Sequence, residues 1–167
     1  MGGTSTNSQF LRGTFTGVKV EPGGRIVVPR RWREVLPVTE WVGSPWPLLG
    51  PRALAVFPVG KWEERYNLLV LQRMEAERTG NDDVLKELIP LMRLMNASAE
   101  DLKLDKLGRL CLGANLMGAI GLKGEAVLRG VGENFEVLTP ARYEAERREQ
   151  QEQSDLDEAT LRRYGLS

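Results

Sequence analysis

The sequence predicts an α+β fold in which one β-rich unit occurs twice and helices lie at its periphery. Two similar turns, Glu-Pro-Gly-Gly-Arg at 21–25 and Asp-Lys-Leu-Gly-Arg at 105–109, each lie between short apolar runs that favour strands. Between the turns, segments 61–74 and 84–95 carry apolar residues at helical spacing. Strand-flanked turns on either side of two helices are typical of a repeated α+β chain.

The internal repeat is supported by a second match in the same order. Arg25 and Arg109 both follow a glycine in their turns, and the segment from Val56 resembles the segment from Val137. Two separate matches indicate duplication, whereas a single Gly-Arg turn would be a weak signal. The predicted organisation is a disordered lead-in (1–9), a first half (10–60), connecting helices (61–97), a second half (98–143) and a charged C-terminal helix or tail (144–167).

The first half begins with two predicted strands and a short helix. Residues 14–20 and 25–28 are β-rich and joined by a Pro/Gly turn, which predicts a hairpin because glycine at the end of such a turn takes a positive φ. A short amphipathic helix is predicted from Pro29, and Pro37 ends it.

A loop and a strand complete the first half. Residues 37–51 are rich in proline and glycine and predict a loop, in which Trp41 and Trp46 are exposed or packed on a partner. Residues 53–57 predict a short buried strand.

The second half is predicted to repeat this order after the two helices. Pro90 predicts a kink or a helix start within the second helix. The apolar stripes of both helices favour packing within the subunit over an external partner site. The later predicted elements are strands at 102–104 and 109–112, a short helix at 113–118, strands at 124–132 and 135–138, and a charged helix from 140 to about 153.

Composition indicates a globular, cytoplasmic protein that no membrane segment anchors. Of 167 residues, 41% are apolar and 28% charged, and the chain lacks both an apolar run of about 18 residues and a signal-like start. Formal net charge is zero, but residues 10–33 hold six bases and one acid, while residues 144–167 hold seven acids and four bases. One end of the chain is therefore locally basic.

Histidine and cysteine usage argues against an enzyme, a metal site and a cofactor. The chain has no histidine and one cysteine, which excludes a Cys/His zinc site, a histidine triad and an internal disulfide. Cys111 lies in an apolar run and predicts a buried structural thiol. Adjacent acids such as those at 63–64 and 82–83 point in different directions on a helix, and a phosphate-binding glycine loop with Lys-Ser/Thr is absent.

Each repeated turn combines an acid, a glycine and an arginine. The acids Glu21 and Asp105 can accept backbone N–H groups, and Gly24 and Gly108 supply the unusual φ. The arginine that follows then projects from a fixed backbone and can fork onto a phosphate or a guanine edge. The alternative is that each arginine pairs with the acid of its own turn.

These motifs resemble the MraZ family, transcriptional regulators built from two AbrB-like (SpoVT-AbrB) swapped-hairpin units. The matching residues are Phe10-x-Arg-Gly13, Gly24-Arg25-Ile-Val-Val-Pro29 and the turn 105–109, within a resemblance that covers about 10–147. The resemblance implies a duplicated swapped-hairpin β-barrel with peripheral helices. It also implies a ring homo-oligomer, associated with the nucleoid, that binds tandem repeats in double-stranded promoter DNA of the division and cell-wall gene cluster.

The resemblance implies that the motif arginines Arg25 and Arg109 contact DNA. It implies neither a membrane nor a small-molecule substrate as a partner of the protein. Further candidate contacts are Lys19, Lys106, Arg30 and Arg31. A solvated helix face is an equally good interpretation of the arginines at 30, 31 and 33.

The turns depart from the family pattern. Glu21 replaces Asp, and Gly23 and Leu107 replace Lys, so each turn lacks one cation. Fewer phosphate contacts lower the affinity and flatten its salt dependence. The alternative function is therefore an oligomeric interaction protein that kept the fold but binds DNA weakly or not at all.

Overall fold

The computed structural model describes residues 9–152 and 158–166. Apart from Gln9, the predicted lead-in lies outside the described residues, as do residues 153–157 and 167 of the predicted tail. In chain order the elements are β1 (Thr14–Lys19), β2 (Arg25–Val27), α1 (Arg30–Val35), β3 (Glu40–Trp46), β4 (Ala53–Pro58), α2 (Val59–Thr79), α3 (Asp82–Ser98), β5 (Glu100–Lys103), β6 (Arg109–Cys111), α4 (Ala114–Ile120), β7 (Glu125–Gly130), β8 (Phe135–Leu138), α5 (Pro140–Glu152) and α6 (Glu158–Arg163).

The strands form a six-stranded sheet, in the order β1-β7-β8-β4-β3-β5, and a two-stranded sheet of β2 and β6. All pairings are antiparallel. The six-strand order is symmetric: replacing each strand of β1–β4 by its counterpart in β5–β8, and the reverse, gives the same order read from the other edge of the sheet. The predicted α+β class is confirmed. The predicted β-barrel is wrong, because β1 and β5 lie at opposite edges and β2 and β6 leave the sheet to pair with each other.

The first two strands do not form the predicted hairpin ladder. β1 pairs with β7, from Thr14 opposite Arg129 to Lys19 opposite Glu125. β2 pairs with β6, which sets Ile26 opposite Leu110, and both side chains are fully buried. A core shared by the two halves therefore decides the strand partners, and a single bridge between Glu21 and Arg25 closes the first turn.

Trp32 of α1 lies at the centre of the core and is 1% exposed. Its ring meets Phe15 edge-on at 5.1 Å and Phe135 at 5.2 Å. Its indole N–H donates to the carbonyl of Arg12 at 2.9 Å, so the polar atom of this buried side chain is satisfied.

Part of the predicted 37–51 loop is strand β3, and the prediction for Trp41 is wrong. Trp41 is 1% exposed because β3 is flanked by β4 and β5 and buries this ring against Phe135 at 5.6 Å. Trp46 is 47% exposed. β5 pairs with β3 only as far as Gly43, so Pro45 lies beyond that ladder, where a strand tolerates proline.

The predicted connecting helices are confirmed as α2 and α3, which extend beyond the predicted bounds and pack on each other. Pro90 lies inside α3. α2 leaves Leu68, Leu71 and Met74 more than half exposed. Within residues 9–152 and 158–166, none of the helices combines the length and apolarity needed to cross a membrane.

α5 is fastened to the sheet by Arg129 of β7. The Arg129 guanidinium contacts Glu146 of α5 at 2.6 Å and Glu136 of β8 at 2.7 Å. Partial burial lowers the pKa of Arg129, but the hydrogen bonds to Glu146 and Glu136 outweigh burial and leave the pKa raised. The ion pair thus stays charged and joins three elements.

Candidate nucleic-acid interface

The first turn is closed by backbone hydrogen bonds. Glu21 N–H donates to the carbonyl of Arg25 at 2.8 Å, and Gly24 N–H donates to the carbonyl of Glu21 at 3.0 Å. Gly24 has φ of 81°, in the left-handed region that glycine adopts at low cost. The turn leaves the Arg25 side chain exposed.

The second turn has the same backbone geometry. Asp105 N–H donates to the carbonyl of Arg109 at 2.9 Å, and Gly108 N–H donates to that of Asp105 at 3.1 Å. Gly108 has φ of 79°. Leu107 at the tip is 69% exposed, and Lys106 beside it is also exposed.

The two turn acids behave differently. Asp105 Oδ1 accepts from the N–H groups of Leu107 and Arg109, both at 2.9 Å. The Arg109 backbone N–H is the main reason that the pKa of Asp105 is lowered, with its guanidinium and the Leu107 N–H acting in the same direction. Glu21 is one methylene longer and reaches across to the other turn, where its carboxylate accepts from Arg109 Nη1 at 3.3 Å.

Reciprocal hydrogen bonds hold the turns side by side. Val28 N–H donates to the carbonyl of Gly108 at 2.9 Å, and Leu112 N–H donates to that of Gly24 at 2.8 Å. Arg33 Nε donates to the Val28 carbonyl at 3.1 Å, and its guanidinium lies against Gly108. The two turns therefore form one rigid surface.

We call the two-stranded sheet of β2 and β6 the ribbon. Its inner face consists of the buried Ile26 and Leu110. Because side chains alternate along a strand, the next residues point outward. The outer face carries Arg25, Val27, Arg109 and Cys111.

The prediction of a buried Cys111 is wrong. Leu110 and Leu112 are buried, and the thiol between them faces outward by strand alternation. Cys111 lies opposite Arg25 in the ribbon, with Sγ 3.0 Å from the carbonyl oxygen of Gly23. Because all three residues at 110–112 are apolar, the sequence does not show that their side chains alternate between the two faces of the strand.

Three of the sequence-predicted cations line one shallow groove, which we call the basic groove. Lys19, Arg30 and Arg31 are exposed at its rim, and the groove has a volume of about 360 Å³. Arg30 pairs with Glu34 at 3.1 Å, where both side chains are mostly exposed and the pair adds little stability. The remaining lining residues are Phe15, Val18, Glu21, Val27 and Pro29.

The two motif arginines have different surroundings. Arg25 forms no ion pair with any residue that the structure describes. Arg109 is held by Asp105 at 3.0 Å and by Glu21 at 3.3 Å, with its side chain 27% exposed. The pKa of Arg109 is raised, chiefly by its hydrogen bond to Asp105 and further by Glu21.

The sequence does not predict the contact of Arg33 with the second turn or the apolar lining of the groove. Arg33 contacts a turn far along the chain, so no local signal could predict that contact. Val27 is 43% exposed, and its outward direction follows from alternation with buried Ile26 and Val28. In the described part of the chain, no three acidic or cysteine side chains come together as a metal site.

The fold and this surface define a small α+β protein that carries a cation-rich turn surface on an exposed β-ribbon. Sequence comparison shows which known proteins the chain is similar to. A family model described as "MraZ protein, putative antitoxin-like" matches residues 95–164, which include the second turn.

Relatives named "Transcriptional regulator MraZ" match most of the chain. The protein of Nitrosomonas europaea is 28% identical over 82% of this chain and 86% of its own length. That of Acidovorax sp. (strain JS42) is 29% identical over 78% of this chain and 83% of its own, and that of Roseiflexus castenholzii is 26% identical over 75% and 78%. The predicted resemblance to the MraZ family is thereby confirmed.

Proposed function

We propose that the chain is a sequence-specific transcriptional regulator that binds double-stranded promoter DNA through the outer face of the ribbon and the basic groove. The observation that carries this proposal is the exposure of Arg25 beside a groove rimmed by Lys19, Arg30 and Arg31. A free guanidinium can fork onto guanine, while neighbouring cations neutralise phosphates. Lys106 is a further exposed cation, in the second turn.

The two halves, in this proposal, are copies of one swapped-hairpin unit. Support comes from the strand order, which is unchanged when the halves are exchanged, and from the matching hydrogen bonds of the two turns. Each half supplies its first strand to the hairpin of the other half, as β1 pairs with β7 and β5 with β3. Such interleaving would form from the duplication of a unit that once paired with a second copy.

Self-association into a ring belongs to the same proposal. The exposed apolar side chains of Leu68, Leu71 and Met74 on α2 support it, because a helix face of this kind is suited to an interface. Several weak DNA contacts per ring then add through avidity on tandem promoter repeats, which the family resemblance identifies as those of the division and cell-wall gene cluster. The protein would act in the cytoplasm, associated with the nucleoid.

The test is a titration of the full chain against its own upstream promoter duplex at two salt concentrations. Arg25→Ala is expected to weaken binding at least about tenfold, the equivalent of one good base contact. Arg93→Ala is the matched control, since this exposed arginine lies on α3 and forms no ion pair with a described residue. Wild-type binding without sequence preference, or normal binding by Arg25→Ala, overturns the proposal.

The alternative is an oligomeric interaction protein with weak or no DNA binding. The pairing of Arg109 with Asp105 and Glu21 favours it, because those carboxylates occupy the second motif arginine. A ring that forms in solution but does not bind the promoter duplex would select this alternative.

A further inference from the structure

We propose that Arg109 is a positioning residue that clamps the two turns together, and that Glu21 limits DNA affinity by holding it there. This inference rests on the proposed function. It assigns the two motif arginines different roles: Arg25 contacts the DNA bases, and Arg109 holds the two turns together. The resemblance to the family assigns both arginines to DNA, so the inference separates their roles in this chain.

The geometry of the Arg109 guanidinium leaves neither of its two-donor edges open. A guanidinium recognises guanine or phosphate through a pair of parallel N–H groups, either Nε with one Nη or the two Nη together. Asp105 Oδ2 accepts a hydrogen bond from Nε at 3.0 Å, so one donor of the Nε–Nη edge is in use. The Glu21 carboxylate accepts from Nη1 at 3.3 Å, so one donor of the two-Nη edge is in use as well.

The charges reinforce this geometry. One guanidinium lies between two carboxylates, so the side chains of Arg109, Asp105 and Glu21 together carry a net charge of −1, and the positive charge of Arg109 is offset before a phosphate approaches. The three side chains are 27%, 40% and 35% exposed, which protects the pairs from part of the screening by water. DNA must therefore displace a carboxylate before it can bind Arg109 through a pair of parallel N–H groups.

The contact between Glu21 and Arg109 adds a side-chain bridge between the two turns, which are otherwise joined by backbone hydrogen bonds. Glu21 belongs to the first turn and Arg109 to the second, and the ribbon between them contains only three paired residues on each strand. A side-chain bridge across so short a ladder fixes the angle between the turns. Glu21 can make this bridge because it is longer than the Asp105 that occupies the same position in the second turn.

The discriminating variant is Glu21→Gln, which removes the carboxylate charge from the contact to Arg109 Nη1 and leaves a weaker, neutral acceptor that DNA can displace more easily. Fluorescence anisotropy with the promoter duplex should show affinity raised about three- to tenfold and a log–log salt slope steeper by about one unit, the contribution of one more neutralised phosphate. Glu63→Gln, which removes an exposed acid on α2 far along the chain from both turns, should change neither quantity. The double variant Glu21→Gln/Arg109→Lys should lose the gain, because lysine lacks the fork. An unchanged salt slope in Glu21→Gln overturns the inference.

A second comparison separates the clamp from DNA binding itself. Arg109→Lys should lower the melting temperature while weakening DNA binding less than threefold, whereas Arg25→Lys should weaken DNA binding and leave the melting temperature unchanged. Equal effects of the two variants on both quantities overturn the division of roles. If the wild type binds no DNA, the proposed function fails, and the clamp is judged by thermal unfolding alone. Glu21→Gln and Arg109→Lys must then destabilise non-additively, since additive losses exclude a shared contact.

Discussion

The glycines of the first turn provide a graded test of how tightly the two turns are packed. Gly23 and Gly24 both have left-handed φ angles, 84° and 81°. An alanine at either position bears backbone strain of about 1–2 kcal/mol. Space around the added methyl group differs, because a Cβ at Gly23 meets nothing within 4 Å, whereas one at Gly24 collides with the carbonyl oxygen of Leu112 and lies 2.8 Å from Met117 Sδ.

The collision at Gly24 cannot be relieved cheaply. Leu112 donates its own N–H to the Gly24 carbonyl at 2.8 Å, so moving its backbone away breaks the bond that joins the turns. Overpacking of this kind adds about 1–3 kcal/mol to the strain. The expected loss in the free energy of unfolding is therefore about 1 kcal/mol for Gly23→Ala and about 3 kcal/mol for Gly24→Ala.

Urea unfolding followed by circular dichroism measures both values in one protein background. The corresponding falls in melting temperature are roughly 2–4 °C and 6–12 °C for a chain of this size. Gly108→Ala should lie between them, because the three atoms nearest to its methyl group belong to the guanidinium of Arg33, 2.5 Å away at the end of a flexible side chain. Equal losses for Gly23→Ala and Gly24→Ala would refute the close approach of the two turns.

Two further predictions concern the core and the second turn. Trp32→Ala should lower the free energy of unfolding by about 3–5 kcal/mol, as expected for a large buried ring, and chemical denaturation measures the loss; a loss below about 1 kcal/mol would contradict its central position. The pKa of Asp105 is lower in the folded state, so its carboxylate stabilises the protein at neutral pH, and this contribution disappears as pH falls through the folded-state pKa. The stability difference between wild type and Asp105→Asn should therefore shrink in the acid range, which urea titrations at a series of pH values measure. A difference that stays constant with pH would exclude the charge of the Asp105 carboxylate as its cause.

Local signals in the sequence predict most elements but not their partners. Turn chemistry predicts the acid-to-arginine turns and the helix that begins after Pro29. Apolar periodicity predicts the long helices on either side of residue 80. The choice of β7 as partner for β1 depends instead on which pairing buries both halves of the core. No local pattern encodes that choice, so a hairpin is predicted where β1 and β2 belong to different sheets.

The candidate site divides in the same way. The exposure of the cations at 19, 25, 30 and 31 follows from their position in a basic, turn-rich segment. The contact between Glu21 and Arg109 joins residues from opposite halves of the chain, and one extra methylene decides it. The predictions for Cys111 and Trp41 are wrong because the alternation of a strand cannot be recognised when apolar residues, prolines or glycines occupy both of its faces.

The interleaved sheet also governs when the chain can fold during its synthesis. Thr14, the first residue of β1, pairs with Arg129 near the end of β7. The N-terminal strand therefore has no pairing partner until most of the chain has left the ribosome. The ribbon likewise forms only after β6 emerges, which means that the first turn acquires its final geometry after the second has been made. An N-terminal fragment that ends before β6 has neither the ribbon nor the partner of β1, and the surface around Arg25 matures only with the complete fold.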